Sequence, residues 1–402
     1  MSTLWPAEER LSSIDWSPLV RVHSDVVAAL GPVLAGTDAA RALTKLLRRH
    51  PNWSGHERVA VAEALLGVAL WRRRLRYLAQ EDSPSALLDV LVHDFGAAPD
   101  ASRRVFIDWP TRLSYPDWLA AEVLRAMGVE AEAFAAASNL PGPITVRAKG
   151  LRVSREAHLE RLRKEGVDAR PTLYAPDGLV LEGRPNILGL PSHQAGLFEV
   201  QDEGSQLVGL CLGARPGDHV FDLCAGSGGK TLLLGAALKD RGRLDAYDVD
   251  AVALERLSHR GARAGLRNSL RILHGLPAGL LASHVLVDAP CSALGTLRRG
   301  PDFRWRLEQA SLSAFPTLQR ELLESAAARA APGGRLVYAT CTIRPEENVA
   351  VVESFLADHS EFRREPAPVP DELRSSDGDL VTLPHRHGMD GFYAAVLVRH
   401  GD

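Results

Sequence analysis

Two short runs of this chain place reactive side chains directly after apolar stretches. Asp288-Ala-Pro-Cys291 follows HVLV, and Thr340-Cys341 follows GRLVYA. Each apolar stretch reads as a buried strand, so each cysteine falls at a strand's carboxyl end. A thiolate in such a place attacks an electron-poor carbon and later leaves. Asp288 is the acid that sequence puts beside it to stabilise the charge that develops. A single cysteine is more often a small buried hydrophobe than a nucleophile. Two at strand ends, with Asp288 between them, tip the reading toward nucleophilic catalysis. The four cysteines, at 211, 224, 291 and 341, contain no CxxC pair and no metal-type spacing, which argues against a thioredoxin-type couple or a zinc site.

A second group of residues suits a ligand. Asp222-Leu-Cys-Ala-Gly-Ser-Gly-Gly-Lys230 lies between the apolar run HVF and the helical stretch TLLLGAAL. Its glycines allow a sharp turn and a close approach of backbone to a bound molecule. The helix that follows adds free N–H groups and a partial positive charge. The spacing fits neither the phosphate loop GxxxxGK[ST] nor the dinucleotide fingerprint GxGxxG. Asp248 ends the next strand, where a carboxylate accepts hydrogen bonds from a ribose diol. The pair suits an adenosine ligand, and S-adenosylmethionine and NAD both qualify.

These residues need a frame, and the chain supplies one in three parts. Residues 1–112 read as helices, with Arg41, Lys45, Arg48, Arg49, Arg58, Arg72, Arg73, Arg74 and Arg76 forming a basic stretch. Residues 113–200 read as a small α/β module, with a strand at ITVRA and a helix at REAHLERLRKEG ended by Gly166. From 201 to 402, strands and helices alternate through HVFD, RLDAYD, LRILH, HVLVD and GGRLVYAT, and DLVTL and GFYAAVLVR pair as a closing antiparallel hairpin. Such alternation implies a mostly parallel sheet that binds ligands at its strands' carboxyl ends. With 402 residues, two or three domains are expected. No run is apolar enough to span a bilayer and the opening residues lack a signal-peptide pattern, so a cytosolic protein is expected. A net charge of -3 excludes a protein that coats nucleic acid electrostatically but permits a local basic face.

QDEGSQ at 201–206, DLCAGSGGKT at 222–231, DVD at 248–250, DAPCSALGTLRRGPDFRW at 288–305, LVYATCTIRPEENVAVVESFL at 336–356 and DGFYAAVLVR at 390–399 together carry a resemblance to the Sun-type RNA cytosine-5 methyltransferases. The order of the PCS and TCT motifs is specific to that family, and the likeness runs from about residue 115 onward. More weakly, HERVAVAEALLGVALWRRRL resembles part of a NusB-like RNA-binding domain. The resemblance implies a Rossmann-like class I methyltransferase domain with a mixed, mostly parallel seven-stranded sheet, behind a small α/β module and an all-helical NusB-like domain. It implies S-adenosylmethionine as cofactor and RNA as partner, ribosomal more than transfer RNA, with no metal and no membrane; a monomer is expected. By resemblance, Cys341 attacks carbon 6 of the base, Cys291 assists breakdown of the adduct, and Asp288 and Lys230 complete the catalytic set. Cys224, Ala225, Gly226, Ser227, Gly228, Gly229, Lys230, Asp248 and Asp288 are then the cofactor residues. Arg147, Lys149, Arg298 and Arg299 are candidate RNA contacts.

Three positions depart from the family pattern. The segment LRILHGLPAGLLASHVLV has no acid after its strand, where one usually holds the adenine amine, and His274 or a backbone carbonyl stands in its place. Val146-Arg147-Ala148-Lys149 replaces a usual R-V-N, and the cofactor turn reads AGSGG where AAPGG is usual. Phe303 and Trp305 suit either base stacking or core packing, and His385 and His387 read as a surface loop rather than a metal site. Two other functions remain open on these residues. One is a methyltransferase for a small molecule or protein, which would not need two cysteines. The other is a non-catalytic RNA-binding or assembly protein, which would not need Cys341, Cys291, Asp288 and Lys230 together. A transfer RNA substrate is the alternative within the family.

Overall fold

The computed structural model describes residues 6–93, 108–183 and 185–401. The parts of the expected helical domain at 1–5 and 94–107 lie outside them. Two compact units divide the chain: residues up to 141 with 296–312, and residues 142–295 with 313–402.

The first unit is helical. Its longest helix, Gly55–Ala79, starts at a capping box in which Ser54 and Glu57 exchange side-chain and backbone hydrogen bonds. Val61, Leu65, Val68 and Leu75 are fully buried along it, packed among the helices His23–Leu34, Ala39–Arg49 and Pro84–His93. Segment 296–312, expected within the catalytic domain, folds here instead. The indole N–H of Trp305 donates to the carbonyl of Ala69 at 2.8 Å. Arg304, fully buried, lies 4.2 Å above the Tyr115 ring and donates to Asn139 at 2.8 Å. Of the two readings of Trp305, the structure shows packing.

The second unit holds two sheets. The smaller one is formed by β1 (Ile144–Ala148), β2 (Ala169–Pro171), β3 (Gly178–Leu181) and β4 (Phe198–Val200), in the order β2-β3-β1-β4. Every neighbouring pair in it is antiparallel, and the helix Arg155–Lys164 packs on it.

The larger sheet is built on β5 (His219–Asp222), β6 (Arg243–Tyr247), β7 (Leu270–Leu273), β8 (Ala282–Asp288) and β9 (Ala330–Thr340), which run parallel to one another. With β10 (Phe362–Glu365) and β12 (Phe392–Arg399) the order is β10-β12-β9-β8-β5-β6-β7, a path of seven strands. A short β11 (Leu380–Thr382) pairs with β12 as the expected hairpin. The central strands read as continuous apolar runs because both faces are covered. In β9, Leu336 and Tyr338 face one core, and Val337 and Ala339 face the other.

Register carries the chemistry. Asp288 pairs with Ala339 across β8 and β9, so the residues after them leave the sheet side by side. The loop after Cys291 then closes against the loop before β12. Gly295 donates to the carbonyl of Cys341 and accepts from the N–H of Gly391, both at 2.9 Å. A Cβ on Gly295 would sit 2.1 Å from the Gly391 carbonyl oxygen. Backbone opposes it on both sides, so Gly295→Ala is expected to cost about 1–3 kcal/mol as an overpacking change. A thermal melt lowered by several degrees, with the catalytic loops disturbed, is the expected outcome; an unchanged melt would contradict the close approach.

Candidate active site

The two sulfurs that the sequence separates by fifty residues meet. Cys291 Sγ and Cys341 Sγ are 3.4 Å apart, and the N–H of Cys341 donates to Cys291 Sγ at 3.3 Å. The hydrogen bond with Cys341 raises the Cys291 thiol well above its ordinary range, and burial adds to the shift. That direction suits a group that holds a proton. Burial likewise pushes Cys211 up to about 12 and Cys224 far above the ordinary thiol range. Neither lies against a second sulfur as Cys291 and Cys341 do.

Lys230, near the start of the helix Gly229–Ala237, donates to Asp288 at 2.6 Å and lies 5.0 Å over the Phe392 ring. Lys230 and Asp288 are thus one ion pair at the rim of β5 and β8. Below them, burial raises Asp222 to about 7, while Thr231 donates to it at 2.7 Å.

The turn between Cys224 and Lys230 is a cradle. Gly226 and Gly228 have φ of +52° and +92°, which glycine adopts without strain. A Cβ on Gly226 would meet nothing within 4 Å, whereas one on Gly228 would lie 2.2 Å from Leu257. One face of the turn is open and the other is packed. Asp248 accepts from the N–H groups of Gly226 at 2.7 Å and Asp250 at 2.8 Å. Its remaining lone pairs are available to a ribose diol. No side chain caps the helix that starts at Gly229, so its first N–H groups are left for a ligand. These residues fit the adenosine and methionine parts of S-adenosylmethionine. His274 follows β7 and is exposed.

Two residues without a local sequence signal hold this turn. Arg260, on the helix Ala251–Ala264, donates to the Ser227 carbonyl at 2.6 Å and to its hydroxyl at 3.2 Å. Its other end binds Glu199 of β4 at 2.8 Å. Glu199 also takes Lys149 at 2.7 Å and Arg263 at 2.9 Å. Burial raises Glu199, but Lys149 and Arg260 overcompensate and hold it at about 2.

Two expected RNA contacts are corrected by this cluster. Arg147 and Lys149 are 2% and 3% exposed. Arg147 donates to Gln201 at 2.8 Å, and Lys149 pairs with Glu199. A buried cation needs a partner, and the small sheet supplies one across β1 and β4. Arg299 is exposed and Arg298 partly so, in the short helical segment Leu294–Arg299. His385 and His387 lie in the short helix Pro384–His387, where His387 accepts from the Leu383 N–H at 2.9 Å. Among the described residues no group of His, Cys, Asp and Glu is placed to hold a metal ion. No described helix is long and apolar enough to cross a membrane.

A sheet of this order, with a glycine turn after its first strand, an acid after its second and a sulfur pair beyond its fourth and fifth, defines a class I methyltransferase with a two-cysteine site. Residues 209–398 match the model of the 16S rRNA methyltransferase RsmB/F family, and residues 115–188 match the ferredoxin-like domain of RsmF/B-like methyltransferases. A probable ribosomal RNA small subunit methyltransferase B of Synechocystis is 36% identical over 297 residues, 71% of this chain and 66% of its own length. Ribosomal RNA small subunit methyltransferase B of Pseudomonas putida is 35% identical over 72% of this chain and 67% of its own. A solved methyltransferase homolog from Pyrococcus horikoshii is 26% identical, with a TM-score of 0.64 over 73% of this chain and 98% of that one. The chain belongs to the RsmB/F family. It spans about two thirds of the length of the curated relatives it matches.

The Glu199 cluster gives a pH test. A carboxyl at about 2 in the folded chain and about 4.5 when unfolded contributes stability that is complete above pH 4.5 and lost as pH falls through 2. Glu199→Gln is expected to remove that part of the acid dependence. Wild type and variant melts compared between pH 6 and pH 3 should converge as pH falls. A gap that stays constant would assign the loss to packing alone.

Proposed function

We propose that this chain methylates carbon 5 of a cytosine in RNA, ribosomal RNA by preference, with S-adenosylmethionine as methyl donor. The observation that carries the reading is the 3.4 Å contact between Cys291 and Cys341, on loops whose Asp288 pairs with Lys230 of the glycine turn. A methyltransferase acting on an amine or hydroxyl needs no such pair. Carbon 5 of cytosine is a poor nucleophile, and attack at carbon 6 makes it electron-rich.

Cys341 is the attacking sulfur and Cys291 remains protonated beside it. Cys341 bonds to carbon 6, and electron density moves to carbon 5. Asp288, paired to Lys230, accepts a hydrogen bond from the exocyclic amine and holds the base as that density shifts. When bound, S-adenosylmethionine would supply the electrophilic methyl group that carbon 5 takes up, the sulfur–methyl bond breaking with its electrons kept by the departing S-adenosylhomocysteine. A base then removes the carbon 5 proton, the bond from carbon 6 to Cys341 breaks, and its electrons leave as a thiolate. Cys291 lies in contact with that sulfur and assists its departure. The target base must be single-stranded or flipped out to reach this rim. Arg298 and Arg299 are the RNA contacts we retain. The basic side chains Arg41, Lys45, Arg48 and Arg49, all exposed on or beside one helix, suit phosphate contacts within the helical unit.

Tritium transfer from methyl-labelled S-adenosylmethionine to ribosomal RNA lacking the modification tests the reading. Wild type is expected to place label in 5-methylcytosine, and Cys341→Ala to place none, a loss of at least a thousandfold. Cys291→Ala is expected to accumulate a protein–RNA adduct stable in detergent. RNA binding without label from wild type, at saturating donor, would support a non-catalytic assembly role instead. Equal label in transfer RNA would widen the substrate class.

A further inference from the structure

Both sulfurs lie beyond the ends of β8 and β9, where the sheet no longer fixes them. Their separation needs another device, and two adjacent residues supply it. Glu347, fully buried, accepts four hydrogen bonds. Its Oε1 takes Ser292 Oγ at 2.5 Å and Arg344 Nη1 at 3.0 Å. Its Oε2 takes the Ser292 N–H at 2.9 Å and Gln319 Nε2 at 3.0 Å. The same Gln319 amide donates to the carbonyl of Pro290 at 2.9 Å. Cys291 is therefore held from the residue before it and from the residue after it.

Asn348 does the same for the other sulfur. Thr340 Oγ1 donates to Asn348 Oδ1, and Asn348 Nδ2 donates to the Thr342 carbonyl at 2.9 Å. These are the residues on either side of Cys341. The two loops are then joined directly, since Thr342 Oγ1 and Ser292 Oγ are 2.7 Å apart. The Tyr338 hydroxyl donates to the Glu347 carbonyl at 2.6 Å, which anchors the turn to β9.

We propose that Glu347 and Asn348 are a positioning pair, Glu347 holding the Cys291 loop and Asn348 the Cys341 loop, which together set the sulfur separation. The proposal rests on the two-cysteine mechanism above. It also makes both side-chain oxygens of Glu347 necessary as acceptors. Two donors converge on each oxygen, and an amide nitrogen in place of either oxygen would face two donors and lose both hydrogen bonds.

The test uses Glu347→Gln and Asn348→Ala beside wild type and Cys291→Ala, with two readouts. The first needs no RNA: diamide, a two-electron thiol oxidant, closes a Cys291–Cys341 disulfide, followed by intact mass. Sulfurs in contact must approach to about 2.05 Å to bond, so closure reports their alignment. Glu347→Gln and Asn348→Ala are expected to close at least tenfold more slowly than wild type. The second is adduct formation on RNA. Glu347→Gln is expected to trap adduct as Cys291→Ala does, and Asn348→Ala to form little. Wild-type closure together with wild-type partition in Glu347→Gln overturns the proposal. Altered closure with no adduct or label even in wild type leaves the positioning pair standing and removes the methyl-transfer reading. If Glu347→Gln does not fold, Ser292→Ala deletes one donor and keeps the carboxylate; several-fold slower closure supports the pair and a wild-type rate overturns it.

Discussion

The register of two parallel strands is the constraint on which this molecule's chemistry depends. Because Asp288 pairs with Ala339, the chain leaves β8 and β9 at one level, and Cys291 and Cys341 arrive at 3.4 Å from one another. A slip of one residue would turn both strands' side chains to the opposite core and separate the loops. The apolar alternation of β9 between two cores makes that slip costly. Packing energy distributed over the sheet is thus converted into precision at two sulfur atoms. The buried polar network around Glu347 extends the precision past the last strand hydrogen bond.

The same logic places the cofactor turn, with charge in the role that register has at the sulfurs. Glu199 stands on the small sheet, and Arg260 on a helix of the large one, yet their 2.8 Å pair continues to Ser227. Four cationic residues, Arg147, Lys149, Arg260 and Arg263, surround one carboxylate and Gln201. Burial pulls Lys149 down to about 8 and Arg147 to about 10, which shows how much solvation the cluster has given up. Buried pairs of this kind contribute little net stability and fix geometry instead. Here the geometry fixed is the backbone of a glycine turn that has no side chains of its own to hold it.

The sequence made the sulfur pair, Asp288, Lys230 and Asp248 readable because each follows a long apolar strand or sits in a specific motif. The parallel strands β5 to β9 were legible for the same reason. The strands β2, β3, β4 and β10 were not, being three or four residues long with no motif to mark them. Arg147 and Lys149 read as surface charges because a sequence shows charge without its partner. Their partners, Gln201 for Arg147 and Glu199 for Lys149, lie fifty or more residues on and meet them only through the antiparallel pairing of β1 and β4. The segment around Trp305 was legible as a motif, but its place within the helical unit depends on contacts with Ala69 and Tyr115. Glu347 and Asn348 were within a recognisable stretch, and only the hydrogen bonds around them separate a structural turn from a positioning device.

The adenine side of the pocket follows a different balance. With no acid after β7 and His274 exposed, recognition falls to the groups the structure does order: the N–H groups at Gly229, the Asp248 carboxylate and the ion pair of Lys230 with Asp288. On the proposed function, all three would bear on the ribose and methionine portions of the donor. Binding energy concentrated near the reacting centre is the energy that acts on the transition state, whereas a bond to a distant adenine amine contributes mainly to uniform affinity. Loss of the distant acid therefore weakens capture of the donor without touching the sulfur pair, Asp288 or Lys230. On that function, the rigid, buried polar groups of the site stand where bonds change.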